Sequence, residues 1–374
     1  MLNHAISASK AGIGHSAQQK QDSAWTKWTG FLKAANIRGC FLEDKNRLEK
    51  VGILAAFAFA IRHNHFGRTA QTSLRGDTVR ATIAQVGKTF RTHGFADPGN
   101  DANGYQHTTI ARMIRGFTDA DNPTTKQPAL ALQVFRTLQN SASTHMEQAI
   151  ADLACGALFF GMRSCEYLWV PGKPSRRKTK KLRLRNLVFR NNGRVIHHTA
   201  GLHALLQASM ISITFENQKN GEKMETVTQY RSDLDMCPVK FWARIVHRIR
   251  GYPNSSNRSH VDAFRLEGTT FAITGDAMRT QLRRAVKLVG EDKLGINTKR
   301  VGTHSIRSSF AMMLILTGVP ESVIMKKGRW KSVAFLAYIR AHINTFGKDT
   351  STNIAAVAND DFFVIPHFNK IELS

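Results

Sequence analysis

The stretch THSIRSSFAMMLILTG, Thr303–Gly318, and its continuation GVPESVIMKKGRWKSVAFLAYIR, from Gly318 through Arg340, decide how the chain reads. His304 and Arg307 are three apart at the start of a predicted helix, so they share one face, with Thr303 placed as the N-cap. A strongly apolar helix follows and ends at Gly318. Pro320 suits the first turn of another helix, which stops at Gly328. Arg329-Trp330-Lys331-Ser332 then leads into a last helix holding Tyr338. Taken singly, Trp330 and Tyr338 read as core aromatics and the cations as surface chemistry. Their order is more informative: His-x-x-Arg, apolar helix, Gly-x-Trp, Tyr.

That order resembles the tyrosine recombinase (phage integrase) family. The family's second signature, H-x-x-R followed by G-[HW] and a nucleophilic Tyr, matches His304, Arg307, Trp330 and Tyr338. The GRW…FLAYIR form is most similar to recombinases of eukaryotic mobile elements of the Crypton and DIRS type. Trp330 and Tyr338 are eight positions apart, one fewer than in many bacterial members. Tyr167 and Tyr230 are nearby alternatives, but neither follows the motif. The resemblance requires an upstream arginine after a buried helix, and ACGALFFGMRSCEYLWV supplies it. Gly161, Arg163, Glu166 and Tyr167 match the family's G-x-R-x-x-E-[LY] pattern. Without the resemblance, Arg163 is a helix C-terminal cation or half of a local ion pair with Glu166. The family also places a lysine on a turn between two strands. Lys219, in ITFENQKNGEKMETV, is the best match, and Lys223 is its rival.

These residue types suit phosphodiester transfer, which asks for an in-line nucleophile and for charge stabilisation on phosphate oxygens. Arg163 and Arg307 can grip a phosphate with paired N–H donors and stay charged at any working pH. By resemblance Tyr338 attacks the phosphorus, Lys219 protonates the leaving 5′-oxygen, and His304 assists proton transfer. Trp330 offers an indole N–H to a phosphate oxygen. Glu166 orients His304 or an arginine. No metal site, nucleotide loop or other cofactor is expected.

Outward from these motifs, the chain reads as mainly α with a small antiparallel sheet (α+β). Residues 1–20 are polar and small and read as a disordered arm. Residues 21–122 carry four or five helical patterns, with breaks at Gly67, Asp97-Pro98-Gly99 and Asp119–Pro123. Residues 123–374 hold the motifs. The resemblance makes the first domain a helical, SAM-like core-binding domain and the second the catalytic domain, the two forming a clamp on DNA. After Val170, KTKKLRLRNLVFR (Lys178–Arg190) alternates basic and apolar residues, which suits a strand with one positive face. Lys178, Lys180, Arg183 and Arg185 on that face are candidate DNA contacts; the stretch KPSRRKTKKLRLR also reads as a nuclear-localisation patch. Asn191-Asn192-Gly193 signals a hairpin turn. Met210–Phe215 and Met224–Tyr230 complete the expected sheet.

Composition bounds the partners. Lys and Arg number 53 against 27 acidic residues, a net charge of +26. Such an excess opposes compaction unless a polyanion offsets it, and double-stranded DNA is the leading partner. The basic residues run the length of the chain, whereas a membrane reader concentrates them on one amphipathic helix. No apolar run is long enough to span a bilayer and no signal-peptide core opens the chain, so a soluble, intracellular protein is expected, nuclear if eukaryotic. The four cysteines form no C-x-x-C pair and read as buried free thiols. His63, His65, His197 and His198 have no evident partner set for a metal. By resemblance the assembly is a homotetramer on two DNA sites, and the tail Ala355–Phe368 docks on a neighbour or packs on its own chain. Two further readings share much of the sequence: an element-derived DNA-binding protein without strand exchange, and a type IB topoisomerase.

Overall fold

The computed structural model describes residues 15–66, 73–122, 126–170, 179–218, 221–333 and 336. The chain divides into two compact units, residues 1–124 with 173–177, and residues 125–172 with 178–374. Mostly helical structure with small antiparallel sheets makes up the described residues.

The first unit contains α1 (His15–Ala34), α2 (Arg47–Arg62), α3 (Gly76–Thr92) and α4 (Thr108–Asp119). Helix α1 takes in residues 15–20, which the sequence assigned to a disordered arm. Asn46 and Glu49 form a reciprocal capping box at the start of α2, satisfying backbone N–H groups that the first helical turn leaves without partners. Trp28, Phe57 and Phe90 are fully buried at the centre, with Trp28 and Phe57 edge-to-face at 5.2 Å. The Trp28 indole N–H donates to the carbonyl of Cys40 at 2.9 Å, so the buried ring keeps its polar atom paired. Asp121 accepts from Arg62 at 2.5 Å and from the backbone N–H of Gly76 at 2.7 Å, tying the ends of α2 and α4 to the start of α3.

The second unit is built around α6 (His145–Phe159), in which every residue from Ala149 to Leu158 is buried. Around it lie α5 (Leu132–Asn140), α9 (Pro238–Arg250), α10 (Gly275–Val289) and α12 (His304–Leu316). Between them run the short helices α7 (Ser164–Tyr167), α8 (Leu202–Leu206) and α11 (Glu291–Leu294), and α13 (Glu321–Gly328) is the last helix among the described residues. The Trp242 indole donates to the Gly156 carbonyl at 3.3 Å. A Cβ on Gly156 would sit 3.0 Å from that ring, so this close crossing of α6 and α9 favours glycine.

Four strands form the main sheet: β1 (Leu187–Asn191), β2 (Arg194–Ile196), β3 (Met210–Asn217) and β4 (Lys223–Tyr230), in the order β2-β1-β3-β4, all antiparallel. Asn192 and Gly193, at φ 48° and 79°, make the tight turn between β1 and β2. The long strand expected over Lys178–Arg190 is shorter. Leu184–Asn186 is a 3-10 turn and extended pairing begins only at Leu187. The cause is Asn186, whose side-chain carbonyl accepts from the Arg183 N–H at 2.8 Å while its amide donates to Glu216 at 2.8 Å. The alternation is still structural, since Leu182 and Leu184 are buried. A second hairpin, β5 (Ala263–Leu266) with β6 (Thr269–Ala272), was not anticipated. The cysteines are free thiols, but only Cys155 and Cys237 are buried, and Cys40 is exposed.

Candidate active site

Three segments of the second unit meet at one buried cluster: Phe160–Glu166 after α6, Gln218 after β3, and Gly328–Trp330 at the end of α13, all closed over by Arg307 of α12. Gly161 turns the chain at φ 49°, and a Cβ there would sit 2.4 Å from the Phe310 ring. The turn delivers Arg163 to the N-cap of α7, where its backbone N–H donates to Glu166 Oε2 at 2.9 Å. Its guanidinium donates through Nη1 to Glu166 Oε1 at 3.1 Å and to Gln218 Oε1 at 3.3 Å, and through Nη2 to the Arg329 carbonyl at 3.2 Å. The Arg163 side chain remains 19% exposed and Glu166 only 1%.

Helix α13 ends in a left-handed turn. Trp330 N–H donates to the Met325 carbonyl at 2.9 Å and Arg329 N–H to that of Lys326 at 3.2 Å, closing a Schellman-type cap. Arg329 takes the left-handed position at φ 57°, ψ 44°. The turn folds the indole back over Gly328, where a Cβ would lie 1.6 Å from the ring. This is the physical content of the Gly-x-Trp spacing: the glycine leaves room for the tryptophan two residues on.

Arg307 binds both turns at once. Nη1 donates to the carbonyl of Gly161, 146 positions away in sequence, and Nη2 to that of Gly328 at 2.5 Å. Its guanidinium carbon lies 4.1 Å from the Trp330 ring centroid, and the residue is 2% exposed. Bonding a phosphate would use other N–H groups of this residue or exchange one of these bonds.

The site residues named from the sequence therefore separate into groups. Arg163, Glu166, Arg307 and Trp330 are brought together. His304 is exposed at the start of α12, its backbone N–H donating to Gln127 Oε1 at 2.9 Å, while Thr303 makes no side-chain cap. Lys178, Lys219 and Tyr338 lie outside the described residues. Lys223 opens β4, exposed, paired in register with Asn217. Lys180 is exposed, whereas Arg185 is paired with Glu216 at 2.8 Å. Arg183 is half-buried beside His260. Of the alternative tyrosines, Tyr167 is fully buried, its hydroxyl has no hydrogen-bond partner among the described residues, and burial pushes its pKa up. Tyr230 is 65% exposed at the end of β4.

Sequence reasoning missed Gln218 and Arg329. Gln218 is fully buried; it accepts from Arg163 and donates to Glu225. Arg329 was read only as the spacer in Gly-x-Trp. The readable signal was a cation directly after a helix-ending glycine, where a left-handed residue belongs.

Two guanidinium groups, of Arg163 and Arg329, thus pair with one buried carboxylate, Glu166, with Glu225 reached through Gln218 and Arg307 bonded to the two flanking turns. A basic cluster of this kind, with Arg163 at its partly open side, is suited to an anion such as a phosphate. Among the described residues no group of three or more His, Cys, Asp or Glu side chains is placed to hold a metal ion. No helix among them is long and apolar enough to cross a membrane.

No protein-family model matches the chain, and no curated protein matches it. Solved structures do. The Tn1549 transposon integrase in complex with circular intermediate DNA is 13% identical over 84% of this chain and 94% of that one, with a TM-score of 0.42. The XerH site-specific recombinase bound to a palindromic difH substrate is 13% identical over 84% and 73%, with a TM-score of 0.47. A lambda integrase dimer bound to a COC′ core site is 12% identical over 90% and 92%, with a TM-score of 0.46. At such identities the roles of individual residues have to be argued from this chain's own geometry.

Proposed function

We propose that the chain is a tyrosine recombinase that cuts and rejoins DNA through Tyr338. The observation that carries this reading is the junction of Arg163 and Arg307. Arg163 donates to the Arg329 carbonyl, and Arg307 to the carbonyl of the adjacent Gly328. Two arginines set far apart in sequence are thereby pinned to the segment that leads into Tyr338.

In this reading Arg163 and Arg307 hold the scissile phosphate and stabilise the charge of its transition state. The Tyr338 oxygen attacks phosphorus in line, the bond to the 5′-oxygen breaks, and a 3′-phosphotyrosyl ester forms. Lys219, or Lys223 at the other end of the same turn, gives the leaving oxygen its proton, and His304 assists the proton transfers of the two half-reactions. The ester conserves the energy of the broken bond, so rejoining to another 5′-hydroxyl needs no nucleotide. The charge of +26 supplies general affinity for the duplex.

The finer assignments follow the sequence resemblance. The enzyme belongs to a mobile element of the Crypton or DIRS kind and serves DNA integration or excision. It works as a homotetramer on two sites, and residues 21–122 serve as a core-binding domain on the duplex. Nicked duplexes tiling the DNA that flanks the gene provide the test. A covalent protein–DNA adduct should accumulate in EDTA without ATP, with the protein on the 3′ side of the break. Strict dependence of cleavage on Mg²⁺ would contradict the mechanism.

A further inference from the structure

The cluster contains one charged residue for which the proposed reaction has no use. Arg329 has a side chain 0% exposed. Its Nη2 donates to Glu166 Oε2 at 3.0 Å and to the Phe160 carbonyl at 3.3 Å, and its Nη1 to Gln218 Oε1 at 3.4 Å. Its guanidinium carbon lies 3.5 Å from the Phe215 ring centroid, and its Nε has no hydrogen-bond partner among the described residues.

This is an unfavourable place for an arginine. The left-handed backbone favours glycine or asparagine. A buried ion pair is often no more stabilising than an apolar replacement. Burial also pushes the pKa of the guanidinium down, partly offset by Glu166. Stability alone does not call for the residue. Its partners, however, are the carboxylate that holds Arg163 and the glutamine that immediately precedes Lys219 in sequence. Its own carbonyl receives Arg163 Nη2.

Resting on the recombinase reading, we propose that Arg329 is a positioning residue. It occupies one side of Glu166 and thereby keeps Arg163 aimed at the phosphate. Glu166 is shared, with Oε1 on the Arg163 guanidinium and Oε2 on Arg329 and on the Arg163 backbone N–H. Without Arg329 the whole carboxylate charge falls to Arg163, which then closes into a two-point pair and withdraws from the anion. Through Gln218 the same guanidinium fixes the turn after β3. Arg329 itself does not touch DNA.

The test uses the full chain with the flanking nicked duplex that gives the wild-type adduct. Arg329→Met should lower the single-turnover cleavage rate by roughly 100-fold, the scale of a lost transition-state donor. Duplex affinity should stay within about threefold, since the buried residue neutralises no phosphate. Adding Glu166→Gln should recover about tenfold of the rate, because the neutral amide no longer captures Arg163. An activity-independent readout is modification of Arg163 by an arginine-selective dicarbonyl, mapped by mass spectrometry. Arg163 should become protected in Arg329→Met and reactive again in the double variant.

If Arg329→Met does not fold, Arg329→Lys serves in its place. A single ammonium cannot bridge Glu166 and Gln218 as the fork does, so the same pattern is expected at smaller amplitude. Rate and affinity falling together, a double variant slower than the single, or unchanged Arg163 reactivity would each overturn the proposal. A wild-type chain that forms no adduct would instead defeat the recombinase reading, and the dicarbonyl pattern would still decide whether Arg329 sets the geometry of Arg163.

Discussion

The guanidinium of Arg307 lies over the indole of Trp330, 4.1 Å from the ring centroid, while its Nη2 holds the carbonyl of Gly328 in the turn that folds the indole into place. The ring and the cation therefore fix each other. A desolvated cation–π contact is worth about 2 kcal/mol or more. Trp330→Ala should slow cleavage by at least roughly thirtyfold, the rate equivalent of that energy. Trp330→Phe keeps a π face and should lose less. Single-turnover cleavage of a nicked duplex measures both, and equal losses would remove the ring–cation contact from the account.

Gly161 is required twice. Its φ of 49° belongs to the left-handed region, and an added Cβ would meet the Phe310 ring at 2.4 Å. Its carbonyl also accepts from Arg307. Gly161→Ala should destabilise the second unit by about 1–3 kcal/mol through overpacking alone, read as a lower urea midpoint with the slope unchanged. A wild-type midpoint would show that the turn relaxes freely.

Much of this architecture is legible in the sequence because local patterns wrote it. Apolar residues at helical spacing mark the helices, and Asn192-Gly193 marks a turn. The site is partly legible because Gly328 and Trp330 are linked by a steric rule that acts over two residues. What stays hidden depends on distant contacts. The strand expected from Lys178 is displaced by Asn186, whose side chain bonds Arg183 nearby and Glu216 across the sheet. Gln218 looks like an ordinary turn residue until Arg163 and Arg329 both donate to it. Lys181 reads as one more cation on a basic stretch, yet it pairs at 2.7 Å with Asp262, which is 1% exposed. Such partners lie tens of residues away, where no period or spacing reports them.

His260 gives the fold a dependence on pH. Burial, with Lys181 nearby, lowers its pKa from 6.5 to about 4. The unfolded chain therefore takes up a proton more readily than the folded one. The contribution of His260 to stability is complete above about pH 6.5 and is lost as the pH falls towards 4. His260→Gln cannot titrate, so its denaturation midpoint should fall less than that of the wild type over this interval. Parallel curves for the two proteins would show that His260 titrates normally in the folded state.

The central claim is that Tyr338 is the nucleophile, and trapping the covalent intermediate tests it most directly. The chain is incubated with nicked duplexes from the DNA flanking its gene, and the adduct is digested and mapped by mass spectrometry. The account predicts a 3′-phosphate ester on Tyr338 and no adduct from Tyr338→Phe, which still binds the duplex. An adduct that persists in Tyr338→Phe, or one mapped to another tyrosine such as Tyr230, would contradict it.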